Sequence, residues 1–76
     1  MISPAQCRAA RGWLDWTQVE LSHRAVIGVS TVRDFEAGRR TPTSDSMQRM
    51  ERAFISAGIA FQFTRPLGRP KGITGA

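Results

Sequence analysis

The sequence predicts an all-α domain of four to five short helices closed by one short C-terminal β-strand. Three observations carry that expectation. Capping side chains recur ahead of apolar stripes, the stripes follow three- and four-residue spacing, and residues 59–63 place apolar side chains at period two.

The first helix begins at Ser3-Pro4-Ala5-Gln6: Ser3 can cap, Pro4 suits the first helical position and Gln6 completes a capping box. Cys7, Ala10 and Leu14 then fall at i, i+3 and i+7, an inward stripe that runs towards Asp15. Gly12 weakens this helix slightly. Trp16 is expected to close the core at the corner with the next helix, and Trp13 to stay partly exposed. Thr17-Gln18-Val19-Glu20 is a second capping-box start, with Leu21 and Ala25 as core contacts and Ile27 following from the turn. A small side chain at Ala25 lets this helix cross its neighbour closely at a sharp bend.

Gly28 can cap the third helix, where Val32 and Phe35 point inward while Ser30, Arg33 and Asp34 share the opposite face and Val29 sits at the exposed first turn. Gly38 fits the helix end, and residues 37–43 read as a loop. A fourth helix from Ser44 carries Met47, Met50, Phe54 and Ala57 at core spacing and stops at Gly58. Ile59, Phe61 and Phe63 then lie on one face of a strand, and an isolated strand leaves its backbone unpaired. The expected partner is the same segment of a second copy, antiparallel about a two-fold axis, which would make these three residues a homodimer interface. The alternative is a hairpin back to Lys71-Gly72-Ile73-Thr74. Residues 1–64 thus form one domain, and 65–76 a basic tail rich in proline and glycine.

With 76 residues the chain can bury only a small core, which argues against an enzyme with a deep enclosed pocket. Eleven Lys and Arg against six Asp and Glu favour a polyanionic partner. No run approaches the roughly 20 apolar residues that cross a membrane, and the start lacks a secretory pattern, so no membrane partner and a cytoplasmic, nucleoid-associated location are expected. Cys7 is the only cysteine and His23 the only histidine, so an intrachain disulfide or multi-thiolate metal site is excluded; Cys7 reads as a small buried side chain and His23 as solvated. No acid, base and nucleophile converge, and neither catalytic residues, metal nor cofactor are expected.

Two short helices joined by a tight turn, the second with an outward polar face, form the layout of a helix-turn-helix DNA reader. The chemistry of that face suits the major groove: Arg33 can donate two bonds to guanine, Ser30 can bond base or phosphate, and the Val29 methyls can pack on thymine. Asp34 either accepts from a cytosine amino group or holds Arg33 in place. Arg39 and Arg40, beside the hydroxyls of Thr41 and Thr43, would lie along the phosphate backbone.

The set Arg11, Trp16-Thr17-Gln18, Leu21, Ala25, Ile27, Ser30-Thr31-Val32, Phe35-Glu36 and Gly38 resembles the Cro/repressor-type helix-turn-helix family, also called the xenobiotic-response-element family, of bacterial and phage regulators. The resemblance covers residues 7–57. It implies a dimeric transcriptional regulator of double-stranded DNA, most often a repressor, acting for a phage, mobile element or small operon. It further implies base contacts from Val29, Ser30, Thr31, Arg33 and Asp34, phosphate contacts from Gln18 with Thr17 beside it, and a buried ion pair between Arg11 and Glu36. Two positions depart from the family pattern: Val26 stands where glycine is common, and Val29 where glutamine or arginine is. A second reading makes the chain an antitoxin whose C-terminal strand and tail bind a toxin, or another regulator as protein partner, while the same motif represses the operon.

Overall fold

Ser3 starts the first helix with both halves of a capping box: its hydroxyl accepts from the Gln6 N–H (3.1 Å), and the Gln6 side chain accepts from the Ser3 N–H (2.8 Å). The structure, a computed structural model, describes residues 1–62 and 72–75. Among the described residues there are four helices, α1 (Pro4–Leu14), α2 (Gln18–Ala25), α3 (Val29–Glu36) and α4 (Ser44–Ser56), followed by strands β1 (Ile59–Gln62) and β2 (Gly72–Gly75). Thr17 and Thr43 cap α2 and α4 by accepting from the N–H three residues on. Only this forward half of the second capping box forms, because the Glu20 carboxylate turns to Arg24 at 2.7 Å.

The stripes read from the sequence meet in one core. Cys7 and Ala10 of α1, Leu21 and Ala25 of α2, Val32 and Phe35 of α3, and Met47, Met50 and Phe54 of α4 are all buried. Phe54 is at its centre, stacked on Trp16 and edge-on to Phe61, each at 5.7 Å between ring centroids. Trp13 stays exposed, as its place outside the stripe dictates. Three features differ from expectation. Ile2, ahead of α1, is buried and its N–H donates to Glu51 of α4 at 3.1 Å; Ser22 is buried beside Leu21 and returns its hydroxyl to the Val19 carbonyl at 2.7 Å; and Ala57 is exposed, since α4 ends one residue before it.

The strand pairing corrects the sequence expectation. β1 pairs antiparallel with β2 of the same chain, Ile59 opposite Gly75 and Gln62 opposite Gly72. The pairing is the hairpin named as the alternative, not strand addition from a second copy; it satisfies one edge of β1, and residues 72–75 of the expected tail are strand. Ile59 turns into the core of its own chain, and Phe61, half-buried, packs edge-on against Phe54. Phe63 lies outside the described residues.

The first three helices end in the same way. A bond from the second residue past the end of α1 and of α2, and from the third past α3, reaches back five positions, Trp16 to Arg11, Ile27 to Ser22 and Arg39 to Asp34, at 2.9 to 3.0 Å. Each closure needs one residue in the left-handed region: Asp15 (φ 59°), Val26 (φ 57°) and Gly38 (φ 73°). Glycine takes that region freely and aspartate tolerates it, whereas a β-branched valine is an outlier.

Val26 is 72% exposed, so its side chain contributes little by burial to offset the strain. Val26→Gly is expected to stabilise the fold by about 0.5–1 kcal/mol, the relief of a left-handed valine less the chain entropy that glycine adds. Urea unfolding monitored by circular dichroism measures it; a lower midpoint would show that the turn is not strained.

Candidate nucleic-acid interface

The reading face is set by how α3 is held. Val32 and Phe35 bury its inner side, which leaves Ser30 and Arg33 exposed on the outer side, with Val29, Thr31 and Asp34 half-buried at its margins. Gly28 caps α3 with no side chain, and the Ser30 and Thr31 hydroxyls lie next to the position a Cβ there would take, at 3.7 and 3.9 Å. The start of the helix thus combines hydroxyl groups with backbone N–H groups that no side chain caps. The Arg33 side chain makes no ion pair or hydrogen bond among the described residues. Asp34 does not hold it: the carboxylate faces Arg39 instead, at 3.8 Å, because the closure at Gly38 folds the chain back over the last turn.

At the other end of α3, the Glu36 carboxylate is buried and receives four donors. Arg11 forks onto it through Nε (2.6 Å) and Nη2 (2.7 Å), Gln18 Nε2 donates at 3.0 Å and the Cys7 thiol at 3.1 Å. That fills the acceptor capacity of a carboxylate. Arg11 also donates to the Trp16 carbonyl at 3.0 Å, and Arg8 donates to the Glu36 backbone carbonyl. One group thereby ties α1, the α1–α2 corner and α2 to the end of the reading helix. Burial alone would raise the Glu36 pKa, but the hydrogen bonds from Arg11, Gln18 and Cys7 outweigh it and hold the carboxyl below its ordinary value. Burial, and then the bond to Glu36, push the Cys7 thiol well above the usual thiol range.

The expected phosphate contacts divide. Arg39, Arg40 and Thr41 line one open cleft together with Pro4. Thr43 is committed to capping, accepting from the Ser46 N–H and donating to the Ser46 hydroxyl at 3.2 Å. Thr17 accepts as a cap and keeps its own O–H to donate, and Gln18 keeps one amide hydrogen beyond the one given to Glu36. Cys7 and Arg8 share a helix face with Arg11, at i+4 and i+3, which is the only sequence signal of their part in the cluster. Among the described residues no helix is long and apolar enough to cross a membrane.

A family model described as helix-turn-helix matches residues 8–55, which run from Arg8, within α1, to all but the last residue of α4. No curated protein matches the chain.

The Arg11–Glu36 pair has 19% and 3% of its side chains exposed, in contrast to the Arg24–Glu20 and Arg49–Asp45 pairs, which lie largely in solvent. Exposed pairs of that kind contribute about 0.3–0.5 kcal/mol, whereas leaving a buried charge unpaired costs about 3–5 kcal/mol. Arg11→Ala and Glu36→Ala are each expected to destabilise by that larger amount, and the double variant by less than their sum. Because the folded-state pKa of Glu36 is depressed, its contribution is present above the ordinary carboxylate range and is lost as pH falls through the folded value. Acid titration of Glu36→Gln should show a weaker pH dependence than the parent chain, and single variants as stable as the parent would remove the pair from the frame.

Proposed function

The chain belongs to the helix-turn-helix family of DNA-binding transcriptional regulators, and from that premise we propose that it is a dimeric, sequence-specific repressor. It occupies an inverted-repeat operator and blocks the promoter beneath it. The observation that carries this reading is the outer side of α3, where Arg33 is exposed and unpaired among the described residues while the helix behind it is anchored through Glu36. A rigid helix with a free guanidinium and adjacent hydroxyls suits the major groove, where arginine is the usual partner of guanine. Ser30, Thr31 and Val29 add hydroxyl and methyl contacts at the start of the same helix. Arg39, Arg40 and Thr41 supply sequence-independent contact with the backbone, and Thr17 and Gln18 a second contact from the start of α2.

Two such helices related by a two-fold axis read half-sites about 34 Å apart, one turn of duplex. The operator would therefore be a palindrome with that spacing. Selection of bound fragments from a random duplex pool identifies it, and recovery of no common sequence would reject sequence-specific recognition.

On the selected operator, Arg33→Ala should relax preference at one base pair per half-site and cost about 1–3 kcal/mol there. Arg39→Ala and Arg40→Ala should weaken all sequences alike and each lower the salt dependence by about one counterion. Titrations on operator and scrambled duplex at several salt concentrations separate the two classes. An equal loss on both duplexes for Arg33→Ala would take it out of the reading face.

A further inference from the structure

A groove of about 390 Å³ runs between α2 and the C-terminal half of α4, lined by Arg24, Arg49 and Arg52 and by the small side chains of Ala25, Ala53 and Ala57. Three cations border it and, among the described residues, no acid lines it. Arg24 is held in place, its guanidinium 4.4 Å above the Trp16 ring and its Nε on Glu20, and Arg49 is bonded to Asp45. Those acids lie one helical turn back from the arginines on exposed surface, in pairs that water and a better-placed anion readily replace. The Arg52 side chain has no ion pair or hydrogen bond among the described residues.

We propose that this groove is a docking site for an acidic segment of a partner protein. Charge complementarity selects carboxylates, arginine forks suit them, and the alanines leave room for a peptide to approach the helix surfaces. DNA phosphates would satisfy the same cations, but the geometry favours protein. The loop proposed to follow the duplex backbone precedes α4, and Ala53 lies about 15 Å further along that helix at its ordinary rise. The site is distinct from the reading face, so it stands or falls apart from the repressor reading.

The test uses the intact chain and a fluorescein-labelled, twelve-residue peptide of Glu-Ala-Ala repeats, followed by anisotropy at about 0.15 M salt. Saturable binding is expected, weakened about fivefold or more by Arg49→Ala and by Arg52→Ala. Arg40→Ala, the same charge change in the loop, should leave it unaltered. Arg52 anchors nothing, so its variant should melt with the parent chain and keep its affinity for duplex DNA. Equal weakening by Arg40→Ala would reduce the effect to net charge and overturn the proposal, as would the absence of saturation. A loss of duplex affinity in Arg52→Ala would place the groove against DNA, and a change in its sedimentation would assign the groove to a second copy; either result overturns it.

Discussion

Glu36 places a carboxylate where three helices converge, out of reach of water, and the surrounding side chains are arranged to make that charge tolerable. An unpaired charge there would cost more than most contacts in so small a core contribute. The answer is a set of directional donors, from Cys7 and Arg11 on one helix and Gln18 on the next. Apolar side chains bury area with little regard to angle, whereas a forked guanidinium meets a carboxylate in one plane. The hydrophobic stripes therefore bring α1, α2 and α3 together, and the polar cluster fixes how α3 is turned against the other two. The outward direction of Arg33 follows from that orientation.

The helix ends are a second constraint, and they show local preference giving way to tertiary demand. The closure that suits glycine at Gly38 is imposed on valine at Val26, in the turn between α3 and a helix whose Ser22 and Ala25 are buried. Leu21 and Ala25 before the turn and Ile27 after it all pack on the core, so the intervening residue accepts an unfavourable φ.

Much of this frame was legible in the sequence. Ser3, Thr17 and Gly38 mark helix ends through chemistry confined to a few neighbouring residues, and the stripes in α1, α2 and α4 declare their inward faces by spacing alone. The Arg11–Glu36 pair was reached through family resemblance, since nothing local links residues so far apart. What stayed hidden depends on the folded path of the chain. Gln18 spends one amide hydrogen inside the protein, Asp34 meets Arg39 instead of Arg33, and Arg24 lies across Trp16 because helices arriving from different directions share a corner. β2 was legible only as the alternative partner of β1: its four residues begin and end in glycine and show no period of their own, so only the need of β1 for a partner points to them.

The reading helix also divides its work along its length. Its inner side and final residue belong to the core and the charge cluster, while Ser30 and Arg33 stand outside both. Exchanges at such exposed positions usually shift stability by no more than about 0.5 kcal/mol. A lineage carrying this fold could therefore try new reading residues one at a time without passing through an unfolded intermediate. The preference for an operator is free to drift while the scaffold stays fixed, and a regulator built this way can part from its ancestral target faster than its sequence as a whole diverges.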